Sequence, residues 1–104
     1  MRIYVAGPMT GLPDFNYPAF FDAAGRLAAL GHDPVNPARQ WDGHPSAAWS
    51  DYMRRGITDV CTCDAVALLP GWGDSKGARL ERRVAEVLGL DVNTLAYWLR
   101  GDSC

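Results

Sequence analysis

The residues best suited to chemistry lie in the segment 69–81, LPGWGDSKGARLE. An apolar run at 64–69 precedes the glycine-rich turn of this segment and predicts a short buried strand. Ser75 is then expected to cap a helix, in which Glu81 falls about one and a half turns from the start. The Glu81 side chain leans back toward the helix N-terminus, and ligands of open α/β sheets bind at that edge. Glu81 is therefore a candidate nucleophile or general base; the alternative is a surface glutamate stabilised by the helix dipole.

Three segments are predicted to meet at this edge if the first and third strands are neighbours: the start of the site helix and two loops. The loops after the first and third strands supply the candidate binding residues, which are Gly7, Thr10, Asp14 and Asn16 in one and Trp72, Asp74 and Ser75 in the other. Glycine permits close backbone approach, Trp72 can stack on a ring, and Ser75 with helix N–H groups can bind an anion. This mixture suits a small polar ligand with a ring. An irregular connection, with Trp72 simply packed on a neighbour, is the alternative.

Tyr4 lies in the β-branched and aromatic run 2–6, which predicts the first and central strand. Core packing is the ordinary role of such a tyrosine. A buried hydroxyl needs a hydrogen-bond partner, however, and Glu81 is one candidate.

Strands and helices alternate along the whole chain. Strands are predicted at 2–6, 32–36, 64–69 and 90–92, the second of them at an edge because it contains Pro34. Helices are predicted from Asn16 or Tyr17 to Gly31, from Ser46 to about Val60, from Ser75 to Gly89, and at 95–100 after a Thr94 cap. This α/β alternation predicts a parallel sheet with right-handed crossovers and helices on both faces.

Composition narrows the classes of function. A chain of 104 residues predicts a single domain, and a net charge of −2 gives no sign of nucleic-acid binding. Cys61, Cys63 and Cys104 lack zinc-ligand spacing, which favours reduced thiols in the cytoplasm. We expect no signal peptide and no membrane span, because every apolar run is too short. The sequence has no Walker phosphate loop, no G-x-G-x-x-G after a strand and no G-x-S-x-G elbow.

The opening IYVAGPMTG and the spacing D-x5-G-W-x2-SKGAxxE resemble the nucleoside 2-deoxyribosyltransferase superfamily, most of all a small phage- and bacteria-borne branch of unknown function. The resemblance covers about residues 2–92 and extends to deoxynucleoside 5′-monophosphate N-glycosidases. It implies a flavodoxin-like or Rossmann-like three-layer sandwich with a four- to five-stranded parallel sheet. It also implies N-glycosidic bond cleavage or transfer on 2′-deoxynucleosides or their 5′-monophosphates.

The same resemblance implies roles for individual residues. Gly77, Ala78 and Glu81 match the motif G-[TAV]-x-x-E, whose glutamate is the nucleophile, and Tyr4 matches a tyrosine close to it. Ser75 matches a serine that binds phosphate in the monophosphate hydrolases. Glu81 would attack the anomeric carbon, and water or a second base would resolve the glycosyl ester. No metal or organic cofactor is implied.

Two positions depart from the family pattern. Gly56 stands where the family has a sugar-orienting aspartate, and Arg83 stands where it often has glycine. A nucleotide-binding or sensing module with little or no turnover is therefore one alternative to the enzyme. An interaction protein with a vestigial pocket is another. Relatives complete their pockets with a neighbouring subunit, which implies a homodimer that binds a small nucleoside or nucleotide.

Overall fold

The computed structural model of the chain describes residues 1–9, 12–38 and 49–100. Its sheet has four parallel strands in the order β2-β1-β3-β4. The strands are β1 (Arg2–Ala6), β2 (Asp33–Val35), β3 (Ala65–Leu68) and β4 (Asp91–Thr94). The predicted parallel sheet is confirmed, with β1 in its interior and beside β3. The carboxyl ends of β1 and β3 are therefore adjacent.

Helices cover both faces of this sheet. They are α1 (Tyr17–Ala29), α2 (Trp49–Cys61), α3 (Lys76–Val87) and α4 (Leu95–Leu99). The helices on both faces that the alternation predicts, and the α/β three-layer sandwich that the resemblance implies, are thus confirmed. No helix in the described part of the chain is long and apolar enough to cross a membrane.

Successive side chains of β1 point to opposite faces of the sheet, so they face different helices. Ile3 and Val5 point to one face and pack in a core cluster with residues of α1 and α4. Tyr4 and Ala6 point to the opposite face, where α2 and α3 pack. The period of two therefore directs the Tyr4 side chain toward the helix that carries Glu81.

Element boundaries differ from the predicted ones by a few residues. The strand expected at 32–36 is shorter, and the strand expected at 90–92 instead spans Asp91–Thr94. Thr94 and Ser75 cap their helices as predicted, by accepting hydrogen bonds from backbone N–H groups. Asn16 precedes α1 without a side-chain cap, since its backbone is left-handed, with φ of 61°, whereas a capping residue is typically extended. Its side-chain Nδ2 donates to the Pro8 carbonyl. The predicted cap at Ser46 lies outside the described residues.

Gly7 follows β1 at a point where two chain segments nearly touch. A Cβ atom added there would lie 2.7 Å from the Leu69 Cβ and 2.8 Å from the Leu69 Cδ1. We expect Gly7→Ala to lower the free energy of unfolding by about 1–3 kcal/mol, because the methyl group overpacks this contact. Denaturant unfolding checks the loss. Gly73→Ala is the matched control, since a Cβ at Gly73 meets nothing within 4 Å; equal effects of the two variants would contradict the prediction.

Candidate active site

Glu81 and Tyr4 form a hydrogen-bonded pair beneath the carboxyl edge of the sheet. The Tyr4 hydroxyl donates to Oε2 of Glu81 over 2.6 Å, which joins β1 to α3. Glu81 is only 7% exposed and Tyr4 only 1% exposed. The partner that the sequence suggested for the buried hydroxyl is therefore present.

Burial dominates the electrostatics of this pair. It raises the pKa of Glu81 from 4.5 to about 7; the hydrogen bond from Tyr4 opposes this rise, and the Asp59 charge adds to it. Burial, followed by the charge of Glu81, also raises the pKa of Tyr4 well above its ordinary value. Near neutral pH the tyrosine is thus a hydrogen-bond donor, and the carboxyl group is divided between its acidic and ionised forms. Perturbed groups of this kind are frequent at functional sites.

Asp59 is the second buried acid near the pair. It lies on α2, is 8% exposed, and its Oδ1 is 3.4 Å from Nε of Arg55. Its charge acts on both Glu81 and Tyr4. Within the described ranges, no three His, Cys, Asp or Glu side chains come together as a metal site.

The pair opens onto a cavity of about 670 Å³. This volume is within the range of small-molecule sites. Several of the residues singled out from the sequence line it: Tyr4, Gly7, Asp74, Ser75, Gly77, Ala78 and Glu81. Ser75 lies on this wall at the start of α3, where its Oγ accepts a hydrogen bond from the Ala78 N–H over 3.1 Å and caps the helix.

Three other candidate residues are not on the cavity wall. The Asn16 amide donates to the Pro8 carbonyl over 3.0 Å, which ties the first loop to itself. Asp14 is exposed in a 3-10 turn at Pro13–Asn16. Trp72 packs against the core cluster under α2 and α3, and the Arg82 guanidinium lies 5.1 Å from its ring centroid. Thr10 lies outside the described residues, so its predicted role stays a prediction.

The remaining wall is aromatic and apolar, and sequence reasoning did not assign it to the site. Its members include Phe15, Tyr17, Phe20, Trp49, Tyr52 and Met53. The last three stand at i, i+3 and i+4 on α2, a spacing that by itself indicates only an apolar helix stripe. Lys76 also lines the cavity, and its ammonium group lies 5.0 Å from the Trp49 ring centroid.

Comparisons with known proteins agree with this fold. The structure is similar to a 2-desoxiribosyltransferase from Leishmania mexicana, with a TM-score of 0.68 and 20% identity over 89% of this chain. It is also similar to a 2-deoxyribosyltransferase from the psychrotolerant bacterium Bacillus psychrosaccharolyticus, with a TM-score of 0.67 and 18% identity over 88% of this chain. The chain spans 62% and 69% of these two proteins.

At such low identities the likeness shows a shared fold, which is the one that the sequence resemblance implied. No curated protein matches the chain. The family model described as "Domain of unknown function (DUF4406)" matches residues 1–94. The chain therefore belongs to the DUF4406 family, and its domain has the fold of the 2-deoxyribosyltransferases.

Proposed function

We propose that this protein cleaves the N-glycosidic bond of 2′-deoxynucleosides or their 5′-monophosphates, with Glu81 as the nucleophile. The observation that carries the proposal is the buried carboxyl group of Glu81, held by Tyr4 on the wall of a cavity of about 670 Å³. The names of two proteins with the same fold, both 2-deoxyribosyltransferases, support the choice of substrate class.

The reaction has two steps at one carbon. A carboxylate oxygen of Glu81 attacks C1′ of the sugar while the C1′–N bond breaks, and the base leaves with the bonding electrons and takes up a proton. Water or a second base then attacks C1′, which breaks the glycosyl ester and restores the Glu81 carboxylate. Tyr4 holds one oxygen of Glu81 during the first step, so little reorganisation is needed at the moment of attack.

The cavity wall suits the rest of such a substrate. The aromatic faces of Phe15, Trp49 and Tyr52 offer stacking surfaces for a nucleobase. Gly77 also lines the cavity, and a Cβ atom there would lie 3.0 Å from the Met53 sulfur, so the glycine keeps this part of the wall narrow enough for α2 and α3 to approach. The base therefore has an apolar place, and the sugar a polar one near Glu81.

Free base is the product to measure. The full chain is incubated with each of the four 2′-deoxynucleosides and their 5′-monophosphates, and released base is separated by chromatography. Mass spectrometry of the stopped reaction detects the glycosyl ester as added mass on the peptide that contains Glu81. Absence of free base with all eight substrates would remove the proposal.

A 5′-phosphate group is favoured by the start of α3. Ser75 and Lys76 line the cavity there, where backbone N–H groups and an ammonium group offer an anion site. We expect Lys76→Gln to raise KM for a 5′-monophosphate about fivefold, because one exposed charge contact contributes on the order of 1 kcal/mol. KM for the matching nucleoside should stay unchanged.

Arg79→Gln is the matched control for this comparison. It removes the same charge from the same helix at an exposed position that is not on the cavity wall. Equal changes of KM for the nucleotide and the nucleoside in Lys76→Gln would contradict the phosphate contact.

Binding without turnover is the second candidate function. It is favoured because Gly56 stands where the resembled family has a sugar-orienting aspartate. In that case calorimetry detects nucleotide binding while no base is released. The homodimer implied by the family resemblance stays a prediction.

A further inference from the structure

Gly56 contacts the Glu81–Tyr4 pair from the side of α2. It is buried near the middle of that helix. A Cβ atom built on Gly56 would overlap Oε2 of Glu81 and would lie 2.9 Å from the Tyr4 hydroxyl. The Glu81 carboxylate therefore occupies the space that a side chain at position 56 would need.

This glycine differs from the glycine inside α1. A Cβ atom on Gly25 would meet nothing within 4 Å. Both positions lie inside helices, where glycine costs roughly 0.5–1 kcal/mol relative to alanine. Only Gly56 has a neighbouring side chain that depends on the empty space.

The two oxygens of the Glu81 carboxylate have different surroundings. Oε2 accepts the hydrogen bond from Tyr4 and lies against Gly56. Among the described residues, the hydrogen bonds of Glu81 engage Oε2 alone, while the side chain as a whole lines the cavity. Oε1 is thus the oxygen left to meet a ligand.

We propose that Gly56 is a positioning residue: because it has no side chain, Oε2 docks between α2 and the Tyr4 hydroxyl, and Oε1 is presented to the cavity. The attack by Oε1 rests on the proposed function; the docking of Oε2 does not. In the arrangement of this structure, a Cβ atom at position 56 would displace Oε2 from its place beside Tyr4, toward the open space of the cavity.

The surroundings of the carboxyl group predict the effect of such a displacement. The groups that act on it are the Tyr4 hydroxyl from β1 and Asp59 from α2, with Arg55 paired to Asp59. Burial is the largest cause of the raised pKa of Glu81. A carboxylate displaced into the cavity regains contact with water, so its pKa should fall toward the ordinary value.

A double-mutant cycle tests the steric part. Both alanine substitutions gain helix propensity, but Gly56→Ala must also displace the Glu81 carboxylate. We therefore expect Gly56→Ala to change the melting temperature less favourably in the wild-type background than in the Glu81→Ala background, where the overlapping carboxylate is absent. Gly25→Ala is the matched control and should raise the melting temperature slightly and equally in both backgrounds. An equal effect of Gly56→Ala in both backgrounds would overturn the inference.

Carbon-13 NMR of glutamate-labelled, ligand-free protein tests the positioning. The Glu81 carboxyl signal is identified by its disappearance in Glu81→Gln. We expect its pKa to fall in Gly56→Ala and to stay unchanged in Gly25→Ala, where the added methyl group meets nothing. An unchanged pKa in Gly56→Ala overturns the inference, even where that variant is less stable.

These measurements need no substrate, so they separate the inference from the proposed function. If the wild-type protein releases no base but the coupling and the pKa change are observed, only the proposed reaction is rejected. If the wild-type protein releases base but Gly56→Ala shows neither effect, only the role of Gly56 is rejected.

Discussion

Replacing Glu81 with glutamine is expected to lower kcat for base release by at least about 10³-fold, as removal of a catalytic nucleophile does in other enzymes. The amide is nearly the same size as the carboxyl group and can still accept the hydrogen bond from Tyr4. The fold should therefore persist, which circular dichroism verifies. What is lost is a negatively charged oxygen that can form the glycosyl ester.

For the wild-type protein, we also expect base release to depend on pH through the ionisation of the Glu81 carboxyl group. Attack requires the ionised form, so kcat/KM should rise with pH through the Glu81 pKa of about 7. Glu86→Gln is the matched control, because it makes the same change on the exposed side of α3, where Glu86 pairs with Arg82. Full activity of Glu81→Gln would exclude Glu81 as the nucleophile.

The sequence predicts the framework of this site well because the relevant patterns are local. A short apolar strand, a glycine turn and the Ser75 cap fix where α3 begins, and helical geometry then directs Glu81 back toward the sheet edge. Alternation along β1 likewise separates Tyr4 from the residues on the other face. The meeting of Tyr4 with Glu81 follows once β1 and β3 are neighbours.

The cavity wall could not be predicted in the same way. The spacing of Trp49, Tyr52 and Met53 shows that α2 has an apolar face. Spacing alone cannot tell whether such a face packs in a core or lines a cavity, since the difference depends on how far α2 stands from the first loop. The position of Lys76, directly after a helix cap, likewise predicts only an ordinary surface residue and not a residue of the cavity wall.

The backbone conformation of the first loop also could not be predicted from the sequence. Asp14, Phe15 and Asn16 all have positive φ, at 52°, 53° and 61°. Residues other than glycine adopt positive φ rarely and at an energetic cost, so local sequence propensity does not predict this conformation. The turn carries Phe15 to the cavity wall, which only the tertiary structure reveals.

The buried carboxyl group should also make stability depend on pH in an unusual direction. The pKa of Glu81 is raised in the folded state, to about 7 from an ordinary value of 4.5, so folding favours the protonated form. Below about pH 4.5 both states are protonated and the burial has no electrostatic cost. As the pH rises past 7 the folded state must hold a buried charge, and it loses about 3 kcal/mol, at about 1.4 kcal/mol for each pH unit between the two pKa values.

Glu81→Gln has no such charge and should escape this loss. Denaturant unfolding of both proteins from pH 4.5 to 8 should therefore show the variant gaining about 3 kcal/mol of stability relative to wild type as the pH rises. Ionisation of Tyr4 does not contribute to the pH dependence of stability in this range, because burial raises the pKa of Tyr4 well above 10. Glu86→Gln should show no comparable change, since Glu86 is exposed and paired. A constant difference between Glu81→Gln and wild type across this range would mean that the carboxyl group is not held in a desolvated site, and both its raised pKa and its readiness as a nucleophile would lose their physical basis.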